Sequence, residues 1–348
     1  MGGQGIVYLS ERRGSAEFKL PLAIKIFSPD KYKDAAAYQS EMKRLTRVAT
    51  EVARVQQDQI VTVQNVVAHQ GLYIMEMEWI DGYDLRRLLK RDSLNHLKRQ
   101  VTQQTWQDLN ETVVTGGEVD SRFRPGTAVN VLRECLVGLS ALHRSDIIHC
   151  DVKPSNIMVK RSGSVKLIDI GSAFVVGDFP PGNPCTPEYA APEVLKGDRA
   201  TPQSDLASLG YVLIETITGS HPFAGLTYAQ LRRAKEEILQ KLPGMLPVEE
   251  FAFTEPLIVL LTKLIHPDPS RRFETADEAE TSDQGAAGFL RELVKSDMPD
   301  QYARDLRNWI ATIDPKAQTP FVFDPSSEPM PNGTTRMVDT KDLGLDEF

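Results

Sequence analysis

Two short polar segments, each of which follows an apolar run, carry side chains suited to phosphate and metal chemistry. In the first segment, Asp151, Lys153 and Asn156 lie within six positions of one another. In the second, Asp169 follows a β-prone run that ends at Ile168. Carboxylate and amide oxygens are ligands that Mg²⁺ prefers, and a carboxylate can also accept a proton from a hydroxyl group. The two segments therefore predict a site for Mg²⁺ and phosphate.

Periodic apolar segments on both sides of these residues predict the elements that position them. A helix ends just before the first polar segment, with apolar residues at 3.6-residue spacing. Farther upstream, Lys25 interrupts a short apolar run, and Glu41 lies on the same predicted helical face as Tyr38 and Leu45. The predicted strands are residues 22–26, 60–67 and 72–77, and the predicted helices are residues 35–48, 128–143, 286–296 and 301–313.

The order Asp-x-Lys-Pro-x-Asn, followed by Asp-x-Gly, resembles the catalytic loop and metal-binding motif of eukaryotic-type protein kinases, in the Lys-Pro variant of the serine/threonine branch. Glu193 ends an Ala-Pro-Glu triplet like that of the family, Asp205 begins a run that resembles the central helix of the large lobe, and Arg272 resembles the late arginine that pairs with Glu193. The resemblance extends from Gly2 to Arg272. It implies an α+β, bilobal protein-kinase-like fold, with a small, mainly antiparallel β lobe containing one main helix and a larger, mainly helical lobe.

This resemblance implies a catalytic role for four residues. Asp151 would be the base that orients the acceptor hydroxyl, and Lys153 would steady the transferring γ-phosphate. Lys25 would hold the α- and β-phosphates, with Glu41 as its carboxylate partner. The implied cofactors are ATP and Mg²⁺, and the implied Mg²⁺ ligands are Asn156 and Asp169.

The resemblance also implies an adenine pocket. Glu78 and Ile80 would bind the adenine through backbone groups of the hinge, and Met77 would occupy the gatekeeper position. Ala23 and Met158 would lie on the two faces of the ring.

The first residues resemble half of a phosphate-binding loop. Gly2, Gly5 and Val7 match the last two glycines and the valine of the kinase Gly-rich loop, in which backbone N–H groups approach phosphates without a Cβ in the way. The first glycine of the motif and the first strand would precede Met1. We interpret the chain either as a fragment or mis-assigned start, or as a protein that functions with half of the loop.

The motifs divide the chain into three parts. Residues 1–80 are interpreted as the N-lobe with its first strand missing, together with the hinge, and residues 81–296 as the C-lobe with an insertion at about 91–124. Residues 297–348 are interpreted as a C-terminal helix and an acidic, Pro-containing tail that is partly disordered. The basic stretch at residues 86–99 is either a solvated helix or a docking surface for an acidic partner.

Composition excludes several other classes of protein. The net charge of −8 argues against general binding to nucleic acid. No apolar run approaches the ~20 residues of a membrane span, and the N-terminus lacks the pattern of a secretory signal. The three cysteines have neither metal-ligand spacing nor a disulfide framework. These features are typical of a cytoplasmic protein.

Two departures from the family coincide. Cys150 precedes Asp151 where many kinases carry an arginine that receives a phosphate from the activation loop, and Cys cannot make a bidentate contact to phosphate. Residues 173–185 also contain no Ser, Thr or Tyr. We therefore expect activity without phosphorylation of the activation loop.

Three functions remain open at this point. The first is an ATP-dependent protein kinase that transfers the γ-phosphate to Ser or Thr hydroxyls of protein substrates. The second is a pseudokinase or scaffold that binds partners or nucleotide without efficient catalysis, because the Gly-rich loop is incomplete. The third is a small-molecule phosphotransferase of the same fold, which the Lys-Pro and Ala-Pro-Glu motifs disfavour.

Overall fold

The computed structural model describes residues 5–182, 184–247, 254–295, 301–313 and 335–337, and it divides into a β-rich N-terminal lobe and a mainly helical C-terminal lobe. The strands are β1 (Ile6–Arg13), β2 (Lys19–Phe27), β3 (Val63–His69), β4 (Leu72–Glu78), β5 (Gly82–Asp84), β6 (Val114–Gly116), β7 (Ser121–Phe123), β8 (Ile147–Ile148), β9 (Ile157–Lys160), β10 (Val165–Leu167), β11 (Phe174–Val175) and β12 (Thr335–Met337). The helices are α1 (Ala35–Arg54), α2 (Leu85–Leu88), α3 (Arg91–Gln100), α4 (Gln103–Thr112), α5 (Pro125–Arg144), α6 (Pro192–Lys196), α7 (Pro202–Thr218), α8 (Tyr228–Glu236), α9 (Ile238–Met245), α10 (Thr254–Ile265), α11 (Ala276–Thr281), α12 (Ala286–Lys295) and α13 (Tyr302–Ile313).

The N-terminal lobe is a twisted sheet packed against α1. Its strand order is β12-β1-β2-β4-β3, and all of its pairings are antiparallel except that of β12 with β1. The carboxylate of Asp34 caps α1 by accepting a hydrogen bond from the amide of Ala37. The helix continues past the predicted end at Val48 because the buried Val52 extends its apolar face.

Successive side chains of strand β2 lie on opposite faces of this sheet. Leu22 and Ile24 pack with Ile74 in a small outer cluster. Ala23 and Lys25 point to the other face, where both are buried. The alternation therefore places Lys25 on the face directed toward the C-terminal lobe.

The C-terminal lobe is built around α7, which is buried on nearly every side. Thr201 and Ser204 cap its first turn, and Asp205 and Ser208 are polar residues that lie inside the lobe. Helices α5 and α10 pack against α7, and α11 and α12 cover α5. A two-stranded pairing of β8 with β11 and a three-stranded sheet of β5, β9 and β10 carry the loops that face the N-terminal lobe.

The predicted insertion is a folded part of this lobe. Residues 91–124 form α3, α4 and the β6–β7 hairpin. The C-terminal helix α13 packs against α3, α4 and α5. Its Trp309 is fully buried, and the ring meets that of Phe123 edge to face at 5.3 Å. The local charge pattern did not indicate this packing, because the partner helix α13 is distant in sequence.

Within the described residues, no helix is both long and apolar enough to cross a membrane.

Candidate active site

The backbone of the first polar segment is held by the central helix. Asp205 of α7 accepts hydrogen bonds from the amide of His149 and the amide of Cys150, both at 2.9 Å. The Nε2 atom of His143 lies 2.9 Å from the same carboxylate. Cys150 has a φ of 66°, which is the left-handed region that non-glycine residues rarely adopt. The buried carboxylate of Asp205 therefore stabilises a strained turn directly before Asp151.

Asp151 is oriented by three neighbouring side chains. Lys153 Nζ lies 2.7 Å from Asp151 Oδ2, and Asn156 Nδ2 donates to the same oxygen at 3.1 Å and to the Asp151 backbone carbonyl at 2.8 Å. Thr186 donates to Asp151 Oδ1 from its hydroxyl at 2.6 Å and from its amide at 3.1 Å. Lys153 also donates to the Thr186 hydroxyl at 2.8 Å. These contacts hold one carboxylate in a single orientation beside a cation.

Asp169 and Lys25 form the second half of the site. Lys25 Nζ lies 2.5 Å from Asp169 Oδ1, and the amide of Gly171 donates to the same oxygen at 3.1 Å. Burial alone would raise the pKa of Asp169, but the charge and hydrogen bond of Lys25 outweigh that effect and lower it. The amide of Ile168 donates to the backbone carbonyl of Asn156 at 2.9 Å. That bond joins the two polar segments of the sequence into one site.

The predicted metal ligands fit a Mg²⁺ ion that arrives with phosphates. Because Asn156 donates its amide nitrogen to Asp151, its carboxamide oxygen is left to act as a hard ligand. Among the described residues, no cluster of three or more His, Cys, Asp or Glu side chains could hold a metal. Mg²⁺ commonly binds through one or two carboxylates together with substrate phosphates and water. Asn156 and Asp169 match that donor set.

The structure does not bring Glu41 to Lys25, so the expected ion pair between them is corrected. Glu41 instead accepts two hydrogen bonds from Arg44, at 2.7 and 2.9 Å, one helical turn along α1. Lys25 is drawn to Asp169. Arg44 is three residues after Glu41 on the same helix, a spacing at which side chains meet. The sequence did not show whether Glu41 would pair with Arg44 or with Lys25. A catalytic role for Glu41 stays a prediction.

The predicted adenine pocket is brought together by the sheet register. Ala23 on β2 is directly paired with Met77 on β4. Both residues belong to the main buried cluster, together with Ile80 and Met158. The side chain of Glu78 accepts a hydrogen bond from the amide of Thr62 at 2.7 Å. The hinge is therefore anchored from its outer side, and its contacts with a nucleotide stay a prediction.

The predicted phosphate loop is only partly described. Gly2 lies outside the described residues. A Cβ on Gly5 would lie 2.5 Å from the backbone carbonyl of Ile26, so β1 approaches β2 too closely there for a larger residue. Val7 is directly paired with Lys25 in the sheet. This register places the predicted loop residues beside the lysine predicted to bind phosphate.

The predicted pair of Glu193 and Arg272 is confirmed. Two parallel hydrogen bonds, both 2.7 Å long, join the guanidinium group of Arg272 to the carboxylate of Glu193. Burial alone would raise the pKa of Glu193, but the bonds and charge of Arg272 outweigh it and lower the value. Ser204 donates a further bond to Glu193 at 2.8 Å. This buried network connects α6 with the start of α7.

Three residues with clear contacts in the site received no role from the sequence. Thr186 directly follows the stretch 173–185 that contains no hydroxyl residue, and Arg44 is one of several basic residues on a predicted helix. Lys166 is buried and lies 2.5 Å from Glu78 Oε1. Of the three, only Lys166 could have been noticed in the sequence, because it is a single lysine within an apolar, β-prone run, which is the pattern that identified Lys25.

Comparison with known proteins agrees with this geometry. A model of the protein kinase domain matches residues 1–282. The chain is 28% identical over 288 residues to the serine/threonine-protein kinase PknD of Mycobacterium tuberculosis, an alignment that covers 80% of this chain and 37% of PknD. It is 27% identical over 294 residues to PknB of Mycobacterium tuberculosis, covering 80% of this chain and 40% of PknB. It is 24% identical over 285 residues to PrkC of Bacillus subtilis, covering 80% of this chain and 38% of PrkC.

The aligned region thus spans about two fifths of the length of these relatives. The family match extends over most of the chain and includes both polar segments of the site. The family and fold expected from the sequence motifs are thereby confirmed: the chain belongs to the protein kinase domain family.

Proposed function

We propose that this protein is an ATP- and Mg²⁺-dependent protein kinase that phosphorylates Ser or Thr hydroxyls of protein substrates. The observation that carries the proposal is the arrangement around Asp151. Its carboxylate is oriented by Lys153, Asn156 and Thr186, and the same polar segment is joined by a backbone bond to the segment of Asp169 and Lys25. The proposed base, the proposed cation for the transferring group and the two proposed metal ligands thus belong to connected segments.

Each residue has a defined part in this proposal. Asp151 accepts a hydrogen bond from the acceptor hydroxyl and takes its proton, and Lys153 lies beside it to stabilise charge on the transferring phosphoryl group. Bound Mg²⁺, held by Asn156 and Asp169, would neutralise charge on the phosphates. Phosphoryl transfer through a loose transition state depends on positioning and charge stabilisation more than on covalent chemistry. A positioned base typically contributes about 10²–10⁴-fold to the rate.

We also propose that activity does not require phosphorylation of the activation loop. Several contacts support an ordered loop without a phosphate. Strand β11 pairs with β8, and the amide of Val176 donates to the carbonyl of Asp146 at 2.7 Å. Arg47 of α1 lies 2.6 Å from Asp178, and the guanidinium of Arg199 stacks on the ring of Phe179 at 3.9 Å.

Location and partners belong to the same proposal. We propose a cytoplasmic location, where ATP and protein substrates are both present. The basic stretch at residues 86–99 remains a candidate docking surface for an acidic partner. The positive charge that this stretch offers to a partner is reduced, because Lys90 pairs with Asp120 at 2.9 Å and Arg91 donates to the carbonyl of Gly117 at 2.6 Å.

The activity is tested by transfer of the γ-phosphate of ATP to a generic protein substrate in the presence of Mg²⁺. Asp151→Asn should lower the transfer rate by about 10²-fold or more, because an amide cannot take up the proton. Nucleotide binding should be retained. The matched control is Asp92→Asn, an equivalent change at an exposed position on α3, which should leave transfer within about twofold. Nucleotide binding by the wild type without any transfer would support the pseudokinase or scaffold function instead.

Independence from activation-loop phosphorylation is tested separately. The wild type is treated with a protein phosphatase, freed of it, and assayed beside the untreated protein. Equal rates are expected. Loss of activity that returns only after phosphate is restored to the loop would refute this part of the proposal.

A further inference from the structure

Arg44 makes an unusually complete set of contacts between α1 and the segment that follows Asp169. Its side chain is only 7% exposed. Nη1 donates to the backbone carbonyl of Ala173 at 2.5 Å, and Nη2 donates to the carbonyl of Gly171 at 3.1 Å. Nε and Nη2 also donate to the two carboxylate oxygens of Glu41, at 2.9 and 2.7 Å. All three guanidinium nitrogens are therefore used.

The geometry of this cluster is specific to arginine. A planar guanidinium can donate in several directions at once, whereas a lysine ammonium is a compact point charge on a flexible stem. Glu41 neutralises the buried cation, so the carbonyls can be engaged without leaving an uncompensated charge. The cluster thus joins one ion pair to two backbone anchors.

Of the two anchored carbonyls, that of Gly171 lies within a short turn that begins at Asp169, and that of Ala173 directly follows this turn. Residues 170–172 form a 3₁₀ helix, and the carboxylate of Asp169 caps it by accepting a hydrogen bond from the amide of Gly171. Asp169 itself has a φ of 63°, in the left-handed region. A strained backbone persists only where its surroundings hold it. Arg44 supplies two of the bonds that hold this turn on its C-terminal side.

We propose that Arg44 is a positioning residue that keeps Asp169 in its metal-binding orientation by fixing the turn behind it to α1. The inference rests on the proposed kinase function and deepens it. Arg44 and the Arg47–Asp178 pair both connect α1 to the segment after Asp169 without a phosphate group, and of the two arginines Arg44 is the one that binds the turn next to Asp169. Lys25 is left to pair with Asp169, since Arg44 occupies Glu41.

Helix α1 contains a matched control for this residue. Arg54 pairs with Glu51 at the same i,i+3 spacing as Arg44 with Glu41, with a separation of 2.8 Å. That pair is exposed at the far end of the helix, where the Arg54 side chain is 70% accessible to solvent. Arg54→Met removes an arginine from the same helix without touching the turn, so it separates loss of a helical ion pair from loss of the turn anchor.

The experiment compares wild type, Arg44→Met, Arg44→Lys and Arg54→Met in the same phosphorylation state. Four quantities are measured: kcat, the KM for protein substrate, the Mg²⁺ concentration that gives half-maximal rate, and amide hydrogen exchange across residues 170–176. We expect Arg44→Met to lower kcat by about tenfold or more and to raise the half-maximal Mg²⁺ concentration severalfold. The KM for protein substrate should stay within about twofold, and exchange in residues 170–176 should accelerate.

The other variants show whether the role is one of positioning. Arg44→Lys should restore less than half of the loss in kcat, because an ammonium cannot reach both carbonyls and the carboxylate together. Arg54→Met should match the wild type in all four measurements. A protein that is merely less stable would lose active fraction without a change in its Mg²⁺ requirement.

Several results would overturn the inference. They are an unchanged Mg²⁺ requirement with unchanged exchange in Arg44→Met, full rescue by Arg44→Lys, or a rise in kcat in Arg44→Met. The last would mean that Arg44 withholds Glu41 from Lys25. If Arg44→Met fails to fold, Arg44→Lys decides by the same measurements. If the wild type transfers no phosphate, the proposed function fails, and hydrogen exchange with Mg²⁺-dependent ATP binding still tests Arg44.

Discussion

Replacement of Thr186 by valine tests how far its hydroxyl, which contacts Asp151 and Lys153, contributes to catalysis. Valine has nearly the same shape as threonine but can neither donate to Asp151 nor accept from Lys153. The amide of Thr186 would still donate to Asp151 at 3.1 Å, and Lys153 would still lie 2.7 Å from its other oxygen. The change therefore removes one donor from the carboxylate and one acceptor from the ammonium while it leaves the backbone in place.

The magnitude follows from the charge on the partners. A hydrogen bond to a charged group contributes about 1.5–3 kcal/mol, and the bond from Thr186 to Asp151 is short, at 2.6 Å. The side chains of Asp151 and Lys153 are 12% and 24% exposed, so water can replace part of the lost bonding. If the bond orients the base in the transition state, its loss lowers kcat by about 10- to 150-fold. We expect a value near the lower end, because water compensates in part.

Steady-state transfer to a protein substrate measures this effect through kcat and through the KM for ATP. Thr186→Ser is the control, because it keeps the hydroxyl and should retain kcat within a fewfold of the wild type. The KM for ATP should change little in both variants, since Thr186 contacts the residues around the acceptor. A Thr186→Val protein whose kcat lies within twofold of the wild type would show that the hydroxyl only packs against Asp151, and the reasoning would fail.

Three further predictions concern the hinge, acid stability and the C-terminal helix. Lys166→Met leaves the carboxylate of Glu78 without its buried cation, so we expect the KM for ATP to rise severalfold with kcat nearly unchanged, as measured by initial rates. Burial and the charge of Lys235 lower the pKa of His221 to about 4. The unfolded chain therefore takes up a proton that the folded protein does not as pH falls from ~6.5 toward 4, and folding stability should fall across that window. Denaturant midpoints at pH 7.5 and 5 should show a smaller decrease for His221→Asn than for the wild type. Trp309→Ala should destabilise the protein by about 3–5 kcal/mol and lower its Tm, because the ring is fully buried; a Tm within 2 °C of the wild type would contradict the packing of α13.

Some residue pairs and secondary-structure elements could be predicted from the sequence. The pairing of Glu193 with Arg272 was implied by the resemblance to the kinase family and is present as two 2.7 Å bonds. The short apolar run that Lys25 interrupts predicted a strand, and the structure shows that the side chains of Lys25 and Ala23 lie on the same face of it. Periods of 2 and 3.6 residues are properties of the backbone itself, so these elements could be recognised without knowledge of the rest of the chain.

The insertion and its neighbours show where local pattern was insufficient. Residues 91–124 are rich in polar and charged side chains, and nothing within them indicates that α13 lies across them. Burial of Trp309 against Phe123 joins segments far apart in sequence. The energy of such a contact depends on two surfaces that come together in the fold. A short stretch of sequence contains only one of them.

From the sequence alone, the two polar segments around Asp151 and Asp169 predicted a site for Mg²⁺ and phosphate, because hard oxygen ligands and a cation at short spacing have restricted chemistry. Which charges meet one another was decided by the tertiary structure. Glu41 was the expected carboxylate partner of Lys25, but Lys25 lies against Asp169, and Glu41 is bound by Arg44 on its own helix. Residue types and spacing define the groups that are available, whereas their pairing depends on distances and burial that arise only when the lobes pack together.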